Sequence, residues 1–173
     1  AWSARTNSVI VRLSIMEIKP PTSIRDLSRN QYAVIVFLAG SIEQGKAKLW
    51  QGDVIAKAGH KSSEGGEVLY LNPRREEWDP TWVQSIDNPL FREQVNWEQD
   101  GIDMADIVFF YFQPDTLAPV TLHELGIALT ANKRCIVVCP TGYWRKGNVD
   151  ISCDRYGITV HETLKAGIEE LKA

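Results

Sequence analysis

The 173 residues predict a three-layer α/β sandwich built on a mostly parallel, five-stranded sheet. Three observations predict it. Apolar runs of strand length alternate with segments of helical periodicity, each long enough for a right-handed crossover. The runs are continuously apolar, residues 33–40 being the clearest, as strands are when helices cover both faces. Glycine or proline then punctuates the strand ends, at Gly40, Pro73 and Pro140.

The elements follow in order. Residues 8–18 have strand character, stopped by Lys19-Pro20-Pro21. Residues 33–40 form the first sheet strand of the main domain. Ala47, Trp50, Val54 and Ala58 recur at helical spacing on a helix over 46–58. Gly65-Gly66 precedes a strand at 67–71, which runs into Asn72-Pro73-Arg74-Arg75. A polar, tryptophan-bearing loop over 76–88, turned at Asp79-Pro80, leads to a helix at 90–105 and a strand at 106–112. After a loop at 113–117, Pro119 suits the first turn of a helix through 131, closed by Lys133-Arg134. A strand at 135–139 and a loop opened by Pro140-Thr141-Gly142 follow. A short fifth strand at 157–160 and a helix at 161–171, with Leu164, Ile168 and Leu171 on one face, end the chain. Residues 1–30 are thus an N-terminal extension with an extra strand, and 31–173 a single domain. No internal repeat or linker divides them.

Composition bounds the function. With 44% hydrophobic and 24% charged residues, the chain has what a packed domain needs and no fibrous bias. Nineteen basic against twenty-two acidic residues give a net charge of −3, so a nucleic-acid footprint is not expected. The apolar runs fall far short of the roughly 18 residues that span a bilayer, and no charged start leads into a signal-like apolar stretch. Cys135, Cys139 and Cys153 cannot all pair, and His60, His123 and His161 are too scattered to complete a zinc site. A reducing, cytoplasmic setting without metal or cofactor is the expectation.

In parallel sheets of this kind, ligands sit outside the carboxyl ends of the strands. Gly40 and Ser41 let a ligand approach the backbone there, or simply make a turn. Neither GxGxxG nor GxxxxGK[ST] occurs. Glu98 falls amid the apolar series Phe91, Val95, Ile102 and Ala105. It either lines an internal crevice or tilts to a solvated rim. Glu124 lies on a face with Val120, Ile127 and Ala131, near a helix start whose dipole favours an ionised carboxylate. That position also suits a merely stabilising acid. If both carboxylates face one crevice, with Asp106 opening the strand between them, the pattern suits attack at a sugar's anomeric carbon with a second group handling the proton. Arg74, Arg75 and the tryptophans could hold an anion or stack on a base, or fill core. A guanidinium at Arg74 would suit a 5′-phosphate.

These residues taken together are familiar. Phe37-Leu38-Ala39-Gly40-Ser41-Ile42, Asn72-Pro73-Arg74-Arg75 with Trp78-Asp79, Trp97-Glu98, Ala105-Asp106 and His123-Glu124-Leu125-Gly126 with Ala128 resemble the nucleoside 2-deoxyribosyltransferase family, in its deoxyribosyltransferase-like branch. The match runs over about residues 34–148. The resemblance implies a flavodoxin-like, Rossmann-like sheet and a nucleophile at Glu124 that attacks C1′ and expels the base. The sugar then passes to a second base or to water. It implies a sugar-holding, orienting carboxylate at Glu98, where the family usually has Asp. Gly40 and Ser41 would line the pocket, and Asn72, Arg74 and Asp79 would contact the ligand. It also implies a homo-oligomer in which a neighbouring subunit completes each site, near Asn148. The family's polar, base-assisting residue falls on Ala118, so Asp79 and Asp106 become the candidates for protonating the base. Nucleoside transfer, nucleotide hydrolysis and a pocket that binds without turnover are the three readings that result.

Overall fold

The computed structural model describes residues 16–42 and 49–173. Six strands form one all-parallel sheet in the order β1-β3-β2-β4-β5-β6: β1 is Glu17–Ile18, β2 Val34–Gly40, β3 Val68–Leu71, β4 Ile107–Tyr111, β5 Arg134–Val138 and β6 Val160–His161. Removing β1 leaves the order of flavodoxin-like sheets, with β1 added beside β3. The sheet is therefore one strand wider than expected from the main domain. Among the described residues five α-helices flank it: α1 Trp50–Ala58, α2 Pro89–Met104, α3 Pro119–Thr130, α4 Lys146–Arg155 and α5 Leu164–Lys172.

Side-chain alternation along the strands builds two cores. Phe37, Leu71, Phe110 and Val137 point to one face, where Trp97 of α2, Leu125 of α3 and Val149 of α4 cover them. Val36, Leu38, Phe109 and Val138 point to the other, under Trp50 and Val54 of α1 and Ile168 of α5. Close packing dictates two of the glycines. A Cβ on Gly101 would meet the Phe37 ring at 2.8 Å, so α2 lies tight on the sheet. A Cβ on Gly40 would meet the Trp50 indole at 2.5 Å and the Tyr111 carbonyl oxygen at 2.6 Å.

Several expectations shift. The strand expected over 8–18 and the helix expected over 46–58 lie partly outside the described residues, which begin again at Leu49 before α1. The last strand is Val160–His161, so His161 ends a strand instead of opening a helix. Residues 146–155 were expected as loop but form α4. Only Val149 and Cys153 of that helix are buried, too thin a stripe to show as periodicity. On α3 the buried face is Thr121, Glu124, Leu125, Ala128 and Leu129, while Val120 is exposed. The segment is so generally apolar that its spacing permits more than one phase. On α2 likewise, Gln94, Trp97, Gly101 and Ile102 are the buried positions, with Phe91 and Val95 at the margin.

Candidate active site

The strand order reverses direction at β2, which lies between β3 and β4. The chain goes from β2 to β3 on one side and from β4 to β5 on the other, and in sheets of this order ligands bind at such a switch point, outside the carboxyl ends of the strands. Helices α2 and α3 both pack on the face that carries Phe37 and Phe110, and each brings one carboxylate.

Glu98 comes from the middle of α2, whose start is fixed by Asn88. That side chain caps the Leu90 and Phe91 amides, and Pro89 occupies the first turn. Glu124 comes from the second turn of α3, and is only 8% exposed. Burial drives the Glu98 carboxyl up to about 7, against a smaller opposing pull from the Gln94 hydrogen bond. Glu124 is raised well above the usual carboxylate range, first by burial and then by the Glu98 charge. The helix dipole expected to keep Glu124 ionised is thus opposed by two effects that raise its pKa. Glu124 sits beyond the first turn, where the dipole has faded, and desolvation with like-charge repulsion dominates. Burial and mutual repulsion thus both favour the protonated form within this pair.

Gln94, one turn before Glu98, was not among the residues singled out from the sequence. It is 3% exposed, and its Nε2 donates to Glu98 Oε1 at 2.8 Å and to the Pro73 carbonyl oxygen at 2.9 Å. Its spacing of four from Glu98 was visible in the sequence; its reach to Pro73 was not. Through that carbonyl the loop after β3 is joined to the carboxylate pair. Asn72 is also buried. It gives Nδ2 to Glu17 Oε1 at 2.7 Å and takes the Arg74 amide at 3.1 Å, so its side chain shapes the loop. The Arg74 guanidinium is half-buried, and desolvation lowers its pKa. Arg75 is pinned by Glu93 at 2.8 Å and lies over the Trp82 ring at 5.1 Å.

The loop after β4 is held from two sides. The Ser41 hydroxyl hydrogen-bonds Thr116 Oγ1 and accepts the Gln113 amide at 3.3 Å. The Leu117 carbonyl oxygen takes both the Tyr143 hydroxyl at 2.8 Å and the Trp144 indole N–H at 2.9 Å. Between these anchors and Pro119, Ala118 adopts a left-handed backbone (φ 43°, ψ 50°), a conformation that costs a non-glycine residue about 1–2 kcal/mol. Gly40 and Ser41 do sit at the carboxyl end of β2, but Gly40 is required by Trp50 packing and Ser41 is engaged with Thr116.

Three other expected site residues lie elsewhere or are occupied. Asp106 stands at the amino end of β4. Its carboxylate takes both oxygens to Arg29 at 2.6 Å and accepts the Ile35 amide at 2.8 Å, while its own amide donates to the Ile35 carbonyl. It clamps β2 to β4 at the amino ends of the strands, the end of the sheet opposite the expected ligand site. Asp79 is exposed and held in a turn by Thr81, whose hydroxyl and amide keep it below the usual carboxylate range. Kept ionised in this way, it holds little proton to give near neutrality. Asn148 is exposed on α4 and lines a cavity of about 290 Å³ between α3 and α4, with Leu122, Leu125 and Gly126. A larger cavity, about 600 Å³, opens past β1 between Lys19, Pro21, Leu27 and Glu76; neither carboxylate of the pair lines it.

Among the described residues no group of His, Cys, Asp and Glu is arranged to hold a metal, and no helix is long and apolar enough to cross a membrane. Burial raises the three cysteine thiols to about 11 or 12, so they pack as neutral groups.

The fold and site thus define an α/β protein with two desolvated, mutually repelling carboxylates beside a sheet switch point, where folds of this class bind their ligands. Comparison with known proteins supplies the family. The profile of the family described as nucleoside 2-deoxyribosyltransferase like matches residues 33–143, and the chain belongs to that family. A crystal structure of a conserved protein from Enterococcus faecalis V583 shares the fold, at a TM-score of 0.53 and 8% identity, over 80% of this chain and 97% of that one. No curated protein matches.

Proposed function

We propose that the protein cleaves the N-glycosidic bond of a (deoxy)nucleoside through a glycosyl–enzyme ester on Glu124, and transfers the 2-deoxyribosyl group to another base. The observation that carries this reading is the pairing of Glu98 and Glu124, buried and electrostatically coupled across two neighbouring helices. In the step we envisage, a Glu124 oxygen bonds to C1′ while the C1′–N bond breaks. The bonding electrons leave with the base, which takes up a proton from solvent, and the acceptor base returns one to solvent when its nitrogen later bonds to C1′. Positive charge growing at C1′ favours the anion on Glu124 and leaves the pair's proton on Glu98, which also holds the sugar. A second base nitrogen then attacks C1′ and releases Glu124. Water in that role would make the enzyme a hydrolase, and a 5′-phosphate held by Arg74 would make the substrate a nucleotide.

A silent nucleotide-binding module is the second reading, favoured by Ala118, which offers no polar group to the leaving base. Incubating the protein with nucleosides and 5′-nucleotides, with and without an acceptor base, tests both. Base release should occur with wild type and fall at least about 10³-fold in Glu124→Gln while ligand affinity is kept. Ligand binding without base release from any of these compounds would favour the silent module and refute the enzyme. We further propose a homo-oligomer: Leu117, Val120 and Trp144 are exposed apolar side chains around the turn at Ala118, and Trp144 is already bonded to Leu117. Sedimentation velocity should show a species larger than the monomer, reduced by Val120→Glu.

A further inference from the structure

We infer that Gln94 is the positioning residue of this site: it fastens Glu98 to the loop after β3 and reserves Glu98 Oε1 as an acceptor, so that the proton exchanged with Glu124 resides on Oε2. The inference rests on reading Glu98 and Glu124 as the reacting pair.

The geometry leaves one arrangement of the amide. Nε2 lies 2.9 Å from the Pro73 oxygen and 2.8 Å from Glu98 Oε1. A backbone carbonyl only accepts, so the amide cannot be turned over without setting oxygen against oxygen. Both N–H groups are therefore committed, one to each acceptor. Because Oε1 of Glu98 receives a hydrogen there, and a carbonyl oxygen accepts better than a hydroxyl oxygen, a protonated Glu98 favours its own hydrogen on Oε2. The side chain does this at a structural cost. Gln94 Oε1 is buried with no hydrogen-bond partner among the described residues, a condition that packing alone would avoid with leucine or methionine.

The charged groups near this junction are accounted for. Glu124 faces Glu98 from α3 and is the group whose charge couples to it. On α2 itself, Glu93 is held by Arg75 and Asp100 by Arg25, both at 2.8 Å. From the loop after β3, Arg74 is the other cation, half-buried beside Asn72. Gln94 is the neutral donor in this set, and its bond favours the ionised form of Glu98.

Carboxyl carbon resonances of Glu98 and Glu124, assigned by their loss in Glu98→Gln and Glu124→Gln, read the titration without any substrate. In Gln94→Met the lower midpoint of the pair should rise by about one pH unit, and base release should keep its alkaline limb to correspondingly higher pH. Should Gln94→Met not fold, Gln94→Asn, too short to span both acceptors, is expected to show the same rise. A midpoint unmoved in a folded variant overturns the inference, whatever the activity. A midpoint that rises in a protein that releases no base from any nucleoside or nucleotide upholds Gln94's hold on Glu98 and overturns the glycosidic reading instead.

Discussion

Desolvation pushes the Glu98 carboxyl up to about 7 from an ordinary 4.5, and that difference has a thermodynamic signature. A carboxyl whose folded pKa is raised binds its proton more tightly in the folded than in the unfolded chain. Its favourable contribution is therefore complete below about pH 4.5 and is lost as pH rises through about 7. Urea titrations across this window should show stability falling with pH. Glu98→Gln should flatten the fall and bring the Glu124 midpoint down, since the repelling charge is gone. Ala118 makes a second residue-scale prediction. Its left-handed backbone is strained for alanine, so Ala118→Gly should raise stability by up to about 1 kcal/mol, measured as a higher unfolding midpoint. Both acids stand out in the sequence from their apolar helix spacing as well as from the family resemblance, yet their protonation was not legible. Charge state depends on how deeply a group is buried and on what faces it, and the helix phase of α3 was itself ambiguous.

At the scale of elements, the site depends on how closely β2, β4 and α1 approach. Gly40 lies under Trp50 and against the Tyr111 carbonyl, a backbone atom that cannot swing aside. Gly40→Ala should cost about 1–3 kcal/mol and loosen the Ser41–Thr116 contact that holds the loop after β4. Chemical denaturation would measure the loss. The strands were the most legible part of the chain, because continuous apolar runs such as Ile35 to Ala39 have no other stable home. Helix α4 was the least legible. Gly147 and Asn148 weaken its propensity, and its support comes from Val149, Cys153 and the Lys146–Asp150 ion pair. Loop contacts such as Gln94 to Pro73 join residues 21 positions apart and leave no periodic trace.

For the whole molecule, the family profile spans residues 33–143, but the structure does not stop at those bounds. Before them, β1 pairs with β3, Thr22 gives its carbonyl to the Trp97 indole at 2.8 Å, and Arg29 closes on Asp106. After them, α4 and α5 cover one end of each core, and Gly167 packs so tightly on Val138 that a Cβ would lie 2.3 Å from it. A fragment of 33–143 alone should lack cooperative unfolding by circular dichroism, because both cores would be open to water.

The pairing of β1 with β3 carries this further. Glu17 holds the Asn72 side chain and Ile18 takes the Asn72 amide, so a segment upstream of the matched region sets the posture of the loop thought to meet the ligand. Anyone recombining relatives to exchange specificity would therefore fail by transplanting that loop as a cassette. Donor and recipient would have to trade the first strand along with it, as one inherited unit.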